Sequence, residues 1–225
     1  MNLPNLLQLL RTYGKPVLEL SALILGVING LMLLKLYARD RAKLTVRPIH
    51  PNTYQWWFTL PPREHEGQPT RRYGFISYIE IQNSGLRKTQ LTSWSISIKT
   101  RLGKSCELPP MSMPEPSAEM GEHIKLYPVL GQRSLHLEGD TLVDSGCSTS
   151  GMVYSLYECH GGAGWDPSII NNRIDAVFQA SDGFNHKAKC NVQFRRKEFE
   201  EIKKFAPGIE RMDEDKTQSD KRQGD

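Results

Sequence analysis

Residues 17–34 read VLELSALILGVINGLMLL, eighteen positions of which only Glu19, Ser21 and Asn29 are clearly polar. A helix needs about 20 apolar residues to cross the hydrocarbon of a bilayer, where every backbone polar group must be satisfied within the segment. The run therefore points to a membrane-spanning helix, with the rest of the chain building whatever it carries. A cleaved signal peptide is the rival reading. The sixteen residues before the run are long for a charged leader, and LKLYARDRAK after it has no small-x-small site free of flanking charge. A retained anchor over 17–37 is expected, in which Gly26 and Gly30 form a Gly-x-x-x-Gly that permits self-association with a second helix.

Charge then suggests an orientation. Of the net charge of +4, none comes from the tail: residues 195–225 hold nine Lys/Arg and nine Asp/Glu. Lys35, Arg39, Arg41, Lys43 and Arg47 follow the apolar run with only Asp40 opposing them, whereas Arg11, Lys15 and the amino terminus precede it. The positive-inside bias puts the C-terminal side in the cytoplasm, as a single-pass protein of the plasma (inner) membrane. The same basic cluster, around the linker 38–42, attracts anionic lipid headgroups. Nucleic acid is not an expected partner, because no aromatic-interleaved basic face accompanies the cluster. The short lead-in 1–16 has leucines at 3, 6, 7, 9 and 10, a helical spacing able to lie at the interface.

Beyond Lys43 the hydrophobic period changes to two, the mark of strands with one buried face. In RRYGFISYIEIQ, Tyr73, Phe75, Ile79 and Ile81 share one side; after Asn83-Ser84-Gly85, residues Trp94, Ile96 and Ile98 alternate with serines. These read as two paired antiparallel strands. A second hairpin runs from Ile174 to Ala180, turns at Asp182-Gly183, and returns through Ala188, Cys190, Val192 and Phe194. Weaker strands are expected at 43–47, 54–60, 123–127, 134–137 and 151–157, and the proline-rich LPPMSMPEPSAEM reads as a connection. Many short strands with turns between them and no long helix predict a mainly β domain over 43–195, a two-sheet antiparallel immunoglobulin-like sandwich. From 196 to 225 the chain reads as a charged, disordered tail, apart from a helical turn bringing Phe199, Ile202 and Phe205 to one face.

The order of an apolar anchor, a basic juncture ending RDRAKLTVRP, then YIEIQNSGLRKTQLTSWSISI and a Gly-rich turn into a strand resembles uncharacterised prokaryotic proteins. These carry one N-terminal membrane helix and an immunoglobulin-like domain. The resemblance covers roughly residues 20–195 and rests on Asn83, Gly85, Leu91 and Trp94, where a strand ending in Asn-x-Gly precedes one leading to an aromatic.

Candidate chemistry is sparse. TLVDSGCSTSGMVY carries Asp144-Ser145-Gly146, the local pattern of a retroviral-type aspartic protease, which shares one proton between two carboxylates and so would require a dimer. After Asp144 no glycine follows a pair of large apolar residues, which such a fold packs beneath its active-site loop. The segment therefore reads first as a turn into a strand, with protease as the alternative function. Cys106, Cys147, Cys159 and Cys190 lack metal-ligand spacing and are expected as reduced thiols in the cytoplasm, or as pairs in an oxidising compartment. HGGAG at 160–164 has no G-x-S-x-G elbow after it and reads as a flexible loop. Within YQWWF, Trp56 and Trp57 point to opposite faces, and an exposed one could stack on a sugar or a protein partner. No cofactor, metal or catalytic residue is expected. The reading is a membrane-anchored, non-enzymatic binding module; an extracytoplasmic domain that binds glycan or protein through Trp56 or Trp57 is a further alternative.

Overall fold

A computed structural model of the protein describes residues 3–65, 68–114, 116, 119–120, 124–125, 129–130 and 142–210. One helix, α1 (Leu3–Arg39), opens the chain, and its segment Pro16–Tyr37 is long and apolar enough to cross a membrane. Its large apolar side chains from Val17 to Tyr37 are exposed, and neither Gly26 nor Gly30 has anything within 4 Å of where a Cβ would sit. Only residues 40–43 separate α1 from the first strand, β1 (Leu44–Pro48).

The remainder is mainly β. Five long strands dominate it: β2 (Gln55–His65), β3 (Gln68–Asn83), β4 (Thr89–Lys99), β10 (Ser148–Cys159) and β11 (Arg173–Asp182), with β12 (Lys187–Arg196) completing the last hairpin. Short strands β5 (Ser105–Leu108), β6 (Pro110–Met111) and β9 (Leu142–Val143) line edges, and β7 (Glu119–Met120) pairs with β8 (Ile124–Lys125) apart from them. The ten-stranded sheet runs β5-β4-β11-β12-β2-β3-β10-β6, with β1 on β3 and β9 on β4. Every pairing within it is antiparallel except β12 with β2, which run parallel over Arg195–Trp56 and Arg196–Trp57. That contact joins two antiparallel halves into one mixed sheet.

The core explains the alternation. Tyr73, Phe75, Ile79 and Ile81 of β3 bury in one cluster with Ile96 and Ile98 of β4, Ile174 and Phe178 of β11, and Phe194 of β12. Phe75 meets Phe194 edge-to-face at 5.2 Å, so the halves close on each other across this cluster.

Three expectations are corrected. First, β3 and β4 do not pair: β3 takes β10 on one edge and β2 and β1 on the other, while β4 takes β11 and β5. The alternation fixed which side chains point inward, and both strands do face the same core; it carried no information about edge partners. Second, β3 does not bury one face alone: its outer face is polar at Glu80 and at the exposed Gln82, as expected, but apolar at Ile76. Ile76 joins Phe58, Met113, Met152 and Tyr154 in a second core. Third, the charged tail does not begin at 196. Helix α2 (Phe199–Phe205) packs onto that second core through the fully buried Ile202, with Phe205 edge-on to Trp56 at 4.9 Å, followed by buried Ala206 and Ile209. Glu200 and Glu201 in its first turn and Lys203 and Lys204 in its last complement the helix dipole. Residues 134–137 and 211–225 lie outside the described residues.

Candidate functional site

Outside α1, the large hydrophobic side chains left exposed among the described residues are Leu86, Leu142 and Phe184 at the end of the domain where α1 leaves, and Leu102, Trp165 and Ile170 at the far end. Scattered exposed leucines need no explanation, but segregation to two poles does. The far pole is built from two segments: the β4–β5 turn, which carries Leu102 and Lys104, and the β10–β11 loop, 160–172. A 3₁₀ turn, Ala163–Trp165, forms the crest of that loop.

That loop is fixed rather than flexible. Arg71, on β3, donates from Nε to Asp166 Oδ1 at 2.5 Å and from its two terminal nitrogens to the carbonyls of Gly161 and Gly162, each at 3.0 Å. The Tyr157 hydroxyl donates to the Trp165 carbonyl at 2.8 Å, the N–H of Arg101 to the Asp166 carbonyl at 2.9 Å, and the N–H of Leu102 to the Gly164 carbonyl at 3.1 Å. Cys159 Sγ–H donates to Asp166 Oδ1 at 3.4 Å, and Thr70 Oγ1 and His160 Nδ1 are 2.9 Å apart. Burial works to raise the Asp166 pKa, but hydrogen bonds from Arg71, Cys159 and Tyr73 prevail and hold it below its ordinary value. Burial first, with Asp166 second, pushes the Tyr73 phenol up to about 12; burial and the bond to Asp166 push the Cys159 thiol up to about 11.

Chemically, this cluster holds a neutral thiol and a paired carboxylate, a combination that braces a loop and activates no nucleophile. It presents instead a surface: Trp165, 38% exposed, with the Lys104 ammonium over its ring at 4.5 Å, next to Leu102, which meets the loop at Gly164, and with Ile170 exposed further along the same loop. The sequence reading missed these residues. Their signal was a tryptophan and an isoleucine pair in GGAGWDPSII, where large apolar residues interrupt a turn-rich stretch that otherwise needs none. Beside Ile170, a cleft is lined by Asn171, Arg173, Arg195, Arg196, Lys197 and Glu201. Each of its cations has a partner within the chain: Arg196 and Lys197 pair with Glu198 and Glu201, while Arg173 and Arg195 hydrogen-bond the neutral amides of Gln193 and Asn52.

The sequence-predicted residues lie elsewhere. Trp57 is 3% exposed and donates its indole N–H to the Asn172 carbonyl at 3.0 Å; Trp56 is half-buried between Tyr54 and Phe205. Trp57 therefore has no ring face for a sugar, because β2 is covered on its inner side by the core and on its outer side by α2. Asp144 sits in an exposed turn at the α1 end, where the N–H of Cys147 donates back to its carbonyl at 3.1 Å and Gly146 adopts a φ of +74°. Ser145 Oγ donates to the Gly85 carbonyl at 2.7 Å, and β10 starts at Ser148. The four cysteines are unpaired: Cys159 is buried, Cys106 and Cys190 are half-buried, and Cys147 is exposed. Among the described residues no cluster of three or more His, Cys, Asp or Glu could hold a metal ion.

No protein-family model and no curated protein matches the chain. Of solved structures, the structural-genomics target SoR45 is similar at 7% identity over 70% of this chain and 88% of that one, with a TM-score of 0.28. The putative ApaA protein from Bordetella pertussis is similar at 11% identity over 69% of this chain and 93% of its own, with a TM-score of 0.27. Neither likeness assigns the chain to a family.

Proposed function

We propose that this chain is a single-pass, membrane-anchored binding module that performs no chemistry of its own. Its anchor is Pro16–Tyr37, and the positive-inside bias of the basic residues Lys35, Arg39, Arg41, Lys43 and Arg47 supports a β domain on the cytoplasmic side of the plasma (inner) membrane. The domain acts as an immunoglobulin-like sandwich in the sense that two antiparallel half-sheets enclose one core and leave their loops at two poles. The resemblance to uncharacterised prokaryotic proteins of that architecture fits this reading.

The observation that carries it is the bracing of the far pole. Half-exposed Arg71, with the buried Asp166, Cys159 and Tyr157, immobilises the loop that bears exposed Trp165 and Ile170 and that Leu102 meets at Gly164. Holding an aromatic anchor rigid before contact lowers the entropy cost of association, which is how protein-binding surfaces reach useful affinity. The partner is a protein with an apolar pocket for the Trp165 ring and an acidic or polar rim for Lys104.

A photo-reactive amino acid at Leu102 in the full chain, irradiated in intact membranes, tests this. Discrete adducts that disappear with Trp165→Ser are expected. Absence of adducts, or adducts indifferent to Trp165→Ser, would overturn the assignment.

A further inference from the structure

The pole next to α1 bears a second set of exposed apolar tips, and the strand register brings them together. Thr89 pairs with Val143 and Gln90 with Leu142, the N–H of Gly183 donates to the Gln90 carbonyl at 3.0 Å, and Thr89 Oγ1 donates to Asp182 Oδ2 at 3.1 Å. Leu86 and Phe184, on loops, and Leu142, on β9, thus all meet at the first two residues of β4. Their exposures are 47%, 47% and 70%. The Phe184 loop is shaped by Asp182, fully buried, whose carboxylate accepts from the N–H groups of Phe184 and His186 at 2.9 Å each.

This pole cannot swing far from α1. Four linker residues span at most about 14 Å, and here they are tied down: Asp40 pairs with Arg87 at 2.5 Å, Ala42 is buried, and Lys43 bonds Asn83 at 3.1 Å. The Arg41 guanidinium lies over the Tyr37 ring at 4.9 Å, at the very end of the apolar segment. Charge runs the same way. Arg41, Lys43, Lys88 and Lys187 are exposed here, opposed among the described residues by the exposed Asp144; Asp40 is committed to Arg87 and Asp182 is buried beneath Thr89 and His186.

We propose that this pole lies on the bilayer: Leu86, Leu142 and Phe184 enter the headgroup region of an anionic membrane while Arg41, Lys43, Lys88 and Lys187 meet lipid phosphates. Apolar tips ringed by cations bind anionic interfaces by adding area burial to charge attraction. The proposal rests on α1 being the membrane anchor, and it adds that the domain stands with its Trp165 pole directed away from the membrane rather than tumbling on a tether.

The test is hydrogen–deuterium exchange of the full chain reconstituted in vesicles. One set is phosphatidylcholine alone, the other equal parts phosphatidylcholine and phosphatidylglycerol. Flotation after an alkaline wash first reports the anchor; a chain that fails to float overturns the anchor and this proposal together. In floated samples, exchange at residues 84–88 and 183–187 is expected to be slower by about tenfold in the anionic vesicles. The loop at 160–166 should exchange equally in both. The combined variant Leu86→Ser, Leu142→Ser, Phe184→Ser should lose that protection, and unchanged exchange in β3 and β11 shows that it folds. Floated protein whose tips exchange alike in both vesicle types overturns the docking and leaves the anchor standing.

Discussion

The backbone N–H of Lys43 donates to Asn83 Oδ1 at 3.1 Å, so the last linker residue before β1 is held by a fully buried side chain at the end of β3. The same oxygen accepts from the N–H of Gly85 at 3.0 Å, and Nδ2 donates to the carbonyls of Arg87 at 2.7 Å and Val143 at 3.1 Å. One amide therefore ties together the linker, the β3–β4 connection and β9. Asn83→Ala leaves two donors and two acceptors in a buried place, and a loss of about 3 kcal/mol is expected. Urea unfolding of the detergent-solubilised chain measures it, and limited proteolysis should show new cleavage near residues 40–43.

Gly85 makes a sharper test of the same junction. A Cβ there would sit 2.0 Å from the Arg41 carbonyl oxygen and 2.6 Å from the Lys43 nitrogen, both backbone atoms that cannot rotate away. Gly85→Ala should therefore push the linker off β3, at a cost of about 2 kcal/mol. Its signature is positional: faster hydrogen exchange at 40–48 with the β11–β12 hairpin unchanged.

Asn83 and Gly85 also show what could be read without coordinates. NSG was legible as a turn, but its role as the clasp on the linker was not, since a residue's partners forty positions away leave no local mark. Likewise the period of two placed Phe75, Ile81, Ile96 and Phe178 in one core, while the edge pairing of β3 with β10 depended on register that alternation does not encode. Phe199, Ile202 and Phe205 were visible as a face; what that face covers, Phe58 of β2, Ile76 of β3 and Tyr154 of β10, was hidden because the period of two on β3 marks only its inner side. Trp165 was overlooked because glycines around it suggested mobility, and the Arg71 clamp that removes the mobility comes from residues about ninety positions earlier.

Asp182 gives the chain an acid limit. Burial alone would raise its pKa, but hydrogen bonds from the His186 backbone and ring, the Phe184 N–H and the Thr89 hydroxyl outweigh it and leave the pKa lowered. A carboxyl with a depressed folded pKa adds stability that is complete above its unfolded value and is lost as pH falls through the folded one. Unfolding midpoints should hold steady down to about pH 4 and then drop. Asp182→Asn should lower the midpoint at neutral pH and flatten the acid limb; a limb of unchanged slope would exclude Asp182 as its source.

Arg71 and Trp165 should separate stability from binding. Arg71→Met strips the clamp from Asp166, Gly161 and Gly162, leaving a buried carboxylate with weaker partners, so a loss of about 2 kcal/mol and faster exchange at 160–166 are expected. Trp165→Ser removes an exposed ring and should change stability by less than about 0.5 kcal/mol. If Trp165→Ser proves as destabilising as Arg71→Met, the ring serves the fold rather than a partner.

The thiols report on orientation. Cys147 is the exposed cysteine, whereas burial pushes Cys190 up to about 11 and, together with Asp166, does the same to Cys159. At mildly alkaline pH these two thiols remain protonated and unreactive, so Cys147 should be modified first, and Cys147→Ser should remove the fast phase. With the β domain in the cytoplasm, a membrane-impermeant maleimide added to intact cells should leave Cys147 unlabelled, and permeabilisation should expose it. Labelling without permeabilisation would place the domain outside and reverse the orientation drawn from the basic residues. Either way, the position of Cys147 next to the Asp144 turn, at the pole adjoining α1, means that protection by lipid must be distinguished from protection by compartment. Inside-out vesicles make that distinction: the maleimide reaches Cys147 there if the domain is cytoplasmic and the site remains accessible, and the rate in detergent sets the unprotected reference.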